Sequence, residues 1–364
     1  VNLRIPGPTP CPEDVLQAGA QQMIDHRGPE FKDMIARIHS GLQTAFQTKN
    51  QIAILTSSGT GAMEAAVINT LSAGDRVLSI SIGVFGDRFA QIAEAYGVDV
   101  VKLPVEYGDA ADPAEIGKLL AADASIKAVL ITHNETSTGI TNDLAAIAKV
   151  VREYDRLTLV DAISSVGCIP VQMDAWDLDV VVTGSQKGFM VPPGLAFAAV
   201  GPRALEAAKT ATLPRFYFEF SRAFTLQAQG QTPWTPAVSV MFSLDLALQK
   251  MMTDGMGAVY EKHARIANDV RNGMKKLGLE LFPNDEKYAS DTVTAVKVPE
   301  GVELSSLRGK LRNDREVVVA GGQGSLSGKI FRVGHMGHIT DEDVDDVMAS
   351  LKAVLPEVGF PVTA

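Results

Sequence analysis

The chain has 364 residues, of which 46% are hydrophobic and 21% charged, and a net charge of −10. This length allows a large domain plus a smaller one, each able to bury a core without staples. The acidic balance disfavours a nucleic-acid partner, no apolar run nears the roughly 20 residues of a bilayer span, and two cysteines, Cys11 and Cys168, lack metal-ligand or disulfide-framework spacing.

The first residues, "VNLRIPGPTPCPEDV", carry neither the charged flank nor the apolar stretch of a signal peptide. The expected setting is the cytoplasm, or an organelle matrix after processing. From about residue 50 strand-like and helix-like segments alternate. "QIAILTSS" (51–58) runs into "GTGAMEAAVINTLS", "DRVLSIS" (75–81) precedes "GDRFAQIAEAYG", and "KAVLITHN" (127–134) precedes "DLAAIAKVVREYD". "LTLVDA" (157–162) and "LDVVVTGS" (178–185) are continuous apolar strands ending in polar residues. This pattern predicts an α/β fold with a parallel sheet covered by helices on both faces, and a ligand at the carboxyl ends of the strands. From about 255 a long helix is followed by short strands at 291–299, 316–322 and 328–335, with helices near 303–313 and 341–355. We expect a large domain over 15–254 and a smaller α+β domain formed by 1–14 and 255–364.

The strand ends carry the candidate chemistry. Ser58, Gly59, Thr60 and Gly61 lie where a strand turns into a helix, a place for a phosphate or simply for a helix cap. "ITHNETSTG" gathers six hydrogen-bonding side chains, His133 to Thr138, at one strand end. Asp161 follows an apolar strand, either as a cap or as a buried carboxylate in need of a cation. Lys187 comes one strand later, between "TGSQ" and the apolar "GFMVPPG", a costly place for a solvated ammonium. A lysine amine, a carboxylate, a phosphate cradle and an apolar sandwich are what pyridoxal phosphate needs, the sandwich being supplied by Phe85 and Ile163. Arg332, inside "FRVGHMG", is either a snorkelling arginine or a fork for a substrate carboxylate.

In order, "PGPTP", "SSGTGAMEA", "VFGDR", "THNETSTG", "VDAISSVG", "GSQKGFMVPPG", "QTPWTP" and "FRVGHMG" resemble the class V, fold-type I aminotransferases across nearly the whole chain, closest to the alanine–glyoxylate and serine–glyoxylate (serine–pyruvate) group. The resemblance implies a fold-type I architecture with a mainly parallel seven-stranded sheet and a smaller C-terminal α+β domain. It implies pyridoxal phosphate as cofactor, with Lys187 as the Schiff-base lysine and the base that moves the α-proton. Asp161 is implied to face the pyridine nitrogen, Ser58, Gly59, Thr60 and Gln186 to hold the phosphate, Thr136 to touch the ring oxygen, and Phe85 to stack. Arg332, with backbone near Gly7, is implied to bind the substrate carboxylate. A homodimer is implied, with Thr235 of "QTPWTP" reaching the neighbouring site. The sequence departs from mammalian peroxisomal members at Phe85, where they carry tryptophan, and at Thr232, where they carry tyrosine; the ending "VTA" is not a peroxisomal address of the S-K-L type. The implied reaction transfers nitrogen from alanine or serine to glyoxylate or pyruvate. Aminoethylphosphonate, ureidoglycine and pyridoxamine are alternative donors, and a non-catalytic subunit keeping the fold is the alternative of another class. A cysteine desulfurase would need a nucleophilic cysteine on a mobile loop in the C-terminal part, where neither cysteine lies.

Overall fold

The computed structural model describes residues 1–362; of the "VTA" ending, Thr363 and Ala364 lie outside the described residues. In chain order the strands are β1 (Asn2–Arg4), β2 (Gln51–Ser57), β3 (Arg76–Ser81), β4 (Asp99–Pro104), β5 (Ile126–Thr132), the two-residue β6 (Asn134–Glu135) and β7 (Ile140–Thr141), β8 (Leu157–Asp161), β9 (Val180–Gly184), β10 (Gly194–Val200), β11 (Val293–Lys297), β12 (Val317–Gly321) and β13 (Ile330–Gly334). Seven of them form one sheet in the order β2-β10-β9-β8-β5-β3-β4. All run parallel except β10, which is antiparallel to both β2 and β9.

The sheet is buried on both faces because successive side chains point to opposite sides. Ile52 and Ile54 join one apolar cluster with helix Pro29–Phe46 and helix Val238–Asp254, while Ala53 and Leu55 join a second with helix Gly59–Thr70. Helix Gly59–Thr70 shows no amphipathic stripe, since "AMEAAVINT" is pressed against β9 and β10 and buried almost throughout. The reversal of β10 follows from loop length. Only residues 185–193 separate it from β9, too few for the dozen or more that a parallel crossover needs.

A second sheet, β1-β12-β13-β11, packs against helices Met256–Lys276, Leu304–Arg315 and Asp341–Glu357 around its own core of Val270, Phe331, Val347 and their neighbours. The N-terminal β1 pairs in parallel with β12. From it, residues 5–9 cross to the carboxyl ends of the large sheet, where Thr9 N–H donates to Gln186 O at 3.1 Å. Among the described residues no helix is long and apolar enough to cross a membrane.

Candidate active site

β2, β3, β5, β8 and β9 all end on the same side of the sheet, and a cavity of about 260 Å³ opens there. Ten of the twelve predicted site residues line it: Gly7, Ser58, Gly59, Thr60, Phe85, Thr136, Asp161, Ile163, Gln186 and Lys187. Arg332 and Thr235 do not.

Lys187 follows β9 on the loop that turns back into β10. Its Nζ donates to Pro6 O at 2.6 Å, so the N-terminal segment lies over the amine. Only glycine permits that crossing: Gly7 has φ of 141°, and a Cβ there would stand 2.6 Å from Lys187 Nζ. Thr9 Oγ1 donates to Lys187 O at 3.1 Å and fixes the loop from the same side. Burial disfavours the ammonium and pulls the amine down to about 8, against the opposing pull of Asp161.

Asp161 ends β8 and is buried. Its Oδ1 accepts the Ile163 N–H at 3.0 Å and closes a local turn, but no helix follows for it to cap, so the capping reading does not hold. Among the described residues that is its single donor. Burial therefore pushes the carboxyl up to about 7. Gln186 Oε1 is likewise buried in the cavity wall with no partner among the described residues.

The helix Gly59–Thr70 starts at the cavity with Ser58 in the N-cap position, yet the Ser58 side chain makes no capping bond. Gly61 and Ala62 N–H turn back to Ser58 O, while the N–H groups of Gly59 and Thr60 have no acceptor among the described residues. The helix start also meets Ile163 closely, because a Cβ on Gly59 would lie 2.5 Å from Ile163 Cδ1. Two free N–H groups at the positive end of a helix suit an anion.

Phe85 stands in the first turn of helix Val84–Ala95, with the Arg88 guanidinium 4.8 Å from its ring centroid. Arg88 Nη1 also lies 3.4 Å from Thr60 Oγ1 and lines the cavity. Arg88 belongs to the "VFGDR" motif but was not among the expected site residues. Its spacing of three from Phe85, which puts both on one helix face, was the available signal. Asn134 and Ser164 line the cavity as well. Asn134 Nδ2 donates to Ser164 Oγ at 2.7 Å and to Thr292 Oγ1 at 2.8 Å, tying the strand end to the segment before β11.

Arg332 sits behind the wall, 4% exposed on β13. Nη1 donates to Thr136 O at 2.7 Å, and Nε and Nη2 donate to Gly321 O at 3.0 and 2.6 Å. It is thus neither snorkelling nor in the cavity wall. Thr235 is exposed and Thr232 Oγ1 donates to Trp234 O at 2.8 Å, within its own turn. Around them Phe216, Tyr217 and Trp234 stack at 5.0 and 5.6 Å, with Phe216 66% exposed. Neither cysteine lines the cavity, and burial pushes the Cys168 thiol up to about 12. Among the described residues no group of three or more His, Cys, Asp or Glu is arranged to hold a metal ion.

An amine, a carboxylate short of donors, free N–H groups at a helix start, and Phe85 and Ile163 on the walls fit pyridoxal phosphate: the anion, the ring nitrogen and the ring faces each find a complementary group. The family model for aminotransferase class V matches residues 1–347. A soluble hydrogenase small subunit of Synechococcus sp. (strain PCC 6716) is 44% identical over 98% of this chain and 94% of its own length. The L-aspartate–glyoxylate aminotransferase of Paracoccus denitrificans is 36% identical over 98% and 92%. The crystal structure of pyridoxamine–pyruvate aminotransferase from Mesorhizobium loti superposes with a TM-score of 0.95 at 29% identity, over all of this chain and 94% of that one. The chain therefore belongs to the class V aminotransferases, a fold-type I family whose cofactor is pyridoxal phosphate.

Proposed function

We propose that the protein carries the amino group of a small amino acid, alanine or serine, to glyoxylate or pyruvate by a ping-pong cycle. The observation that carries this reading is Lys187: an amine with its basicity lowered by burial, sharing one cavity with Asp161. When bound, pyridoxal phosphate supplies an aldehyde that captures amines and a ring that draws electrons from the α-carbon. Lys187 Nζ takes the proton from the substrate Cα, a task for which a free amine near neutral pH is suited. Asp161 holds the proton of the ring nitrogen, and Ser58, Gly59, Thr60 and Gln186 hold the phosphate. Phe85 and Ile163 fix the ring plane, with Arg88 backing Phe85, and Thr136 touches the ring oxygen.

Arg332, helped by backbone near Gly7, binds the substrate carboxylate by exchanging one of its carbonyl partners. We assign residues 15–254 to the cofactor-binding domain and 1–14 with 255–364 to the domain that brings Arg332. Thr235, exposed and outside its own cavity, serves the site of a second copy in a homodimer, and the setting is the cytoplasm. A neutral donor is favoured over one with a second carboxylate, because Arg88, the arginine that lines the cavity, is already turned to Phe85 and Thr60. The hydrogenase-subunit name of one relative motivates a second reading, a non-catalytic member of a larger assembly.

The test is the visible absorbance of the purified protein. A yellow band that bleaches with alanine or serine and returns with glyoxylate supports the proposal. A yellow protein unmoved by these, but bleached by aspartate, ureidoglycine, aminoethylphosphonate or pyridoxamine, replaces the donor. A colourless protein that cannot be reconstituted leaves the second reading. Lys187→Ala should fold and hold cofactor while turnover falls by about a thousandfold or more; turnover at the wild-type rate would remove Lys187 as the base.

A further inference from the structure

We propose that Glu135 is a positioning residue, whose carboxylate caps the helix that carries Phe85 and so sets the plane of the ring stacked on the cofactor. The inference rests on the stacking role given to Phe85 above. Helix Val84–Ala95 begins after Gly83, which has no side chain to cap it. Its first three N–H groups nevertheless all have acceptors. Val84 N–H donates to Ser137 Oγ at 2.9 Å, and Phe85 and Gly86 N–H donate to Glu135 Oε2 at 3.0 and 3.1 Å. The other oxygen, Oε1, accepts Ser137 N–H at 3.0 Å and Ser137 O–H at 2.7 Å.

Glu135 is fully buried, and all four of these contacts are donors. A protonated carboxyl would turn an O–H against one of them, so the arrangement is that of an ionised group at a helix N-terminus. Burial alone works the other way and pushes the carboxyl up.

The N-cap glycine is what admits this remote cap. A Cβ on Gly83 would lie 2.4 Å from both Glu135 Cγ and Ser137 Oγ. A serine at the N-cap would satisfy the helix locally. A cap brought from fifty residues away does more, since it binds the helix to the turn after β5. The same turn presents Thr136 to the cavity, receives Arg332 at Thr136 O, and is fastened again by Thr138 Oγ1 donating to Ile82 O at 3.1 Å. Phe85, Thr136 and Arg332 thus share one frame. Glu135 itself does not line the cavity, and its two bonds to the Phe85 and Gly86 N–H groups are the route we assign to its effect, as distinct from its chain neighbour Thr136.

The experiment is a double-mutant cycle of Glu135→Gln and Phe85→Ala. It reads the visible circular dichroism of the holoenzyme and the pyridoxal phosphate concentration that half-reloads the apoprotein. Glutamine keeps the shape but turns an NH₂ towards N–H donors. Glu135→Gln is expected to weaken reloading about tenfold and alter the dichroic band in the wild-type background, and to add less than about twofold beside Phe85→Ala. An equal loss in both backgrounds, or unchanged signals in the single variant, overturns the inference while leaving the stacking role in place. If Phe85→Ala alone changes neither signal, the stacking reading falls and takes the inference with it. Should Glu135→Gln not fold, Ser137→Ala removes the Val84 acceptor and one donor to Oε1, with an expected loss of about threefold and the same dependence on background.

Discussion

Two strand-to-helix junctions face the same cavity, and they are finished in opposite ways. After β2 the helix starts with Gly59 and Thr60 N–H free; after β3 the next helix starts with three N–H groups filled by Ser137 and Glu135. Each begins with the same partial positive charge. The open junction leaves that charge to a ligand, whereas the closed one spends it inside the chain and gains a fixed side chain. The two buried carboxylates divide in the same manner. Glu135 accepts four bonds and is complete, while Asp161 accepts one and is not. On the reading proposed above, the cofactor would take the groups left wanting, and the satisfied groups would hold its walls.

Closing the open junction should have the largest effect. Ser58→Asp places a carboxylate at the N-cap, where it takes the free N–H groups and repels a phosphate. We expect cofactor affinity to fall by about a hundredfold while the apoprotein gains up to about 1 kcal/mol, read by titration and by denaturant unfolding. Unchanged affinity would show that the phosphate does not use this helix end.

The second change replaces the unsatisfied carboxylate with a neutral amide. Without cofactor the folded chain holds the Asp161 proton up to about pH 7, whereas the unfolded chain releases it near 3.8. Between these values the folded state binds more protons, so wild-type stability falls as pH rises. Asp161→Asn has nothing to titrate there. Its apoprotein should gain on wild type through pH 4–7 by about 1–4 kcal/mol and then level off, while cofactor binding weakens. A pH-independent difference would mean that Asp161 already has its partners.

The smallest effect is expected at Arg88→Met, which keeps bulk behind Phe85 but removes the cation. Losing one partly exposed cation–π contact should weaken cofactor reloading by about two- to fivefold. A hundredfold loss would instead make Arg88 a phosphate ligand and move it to the open junction.

Much of this was legible in the sequence because buried parallel strands are apolar runs and their polar ends mark the ligand side. β2, β3, β5, β8 and β9 fall within a residue or two of expectation, and ten of the expected site residues line one cavity at their ends. Of the strands that escaped notice, β1, β6 and β7 are only two or three residues long and β4 is a half-exposed edge strand with Lys102, while β10 is an apolar run whose alanines do not mark it as a strand. The capping of Val84–Ala95 was hidden for a different reason. Local reading looks for a cap at Gly83, while the acceptors come from Glu135 and Ser137 through tertiary contact. Arg332 was placed correctly on a strand, but its three bonds to carbonyl oxygens depend on Gly321 and Thr136, which no spacing rule brings together.

The pairing of β1 with β12 bears on when the lysine is covered during synthesis. Leu3 lies beside Val318, some 315 residues later, and the carbonyl that receives the Lys187 amine belongs to Pro6 on the segment leaving β1. At 5–20 residues per second a ribosome needs about 15–60 s to make that stretch. The segment carrying Pro6 must wait for β12 before it can settle over the lysine. The large sheet can form during that wait, but the cover over the lysine cannot, so the cover is the last part of the cavity to be assembled, after β12 has been made.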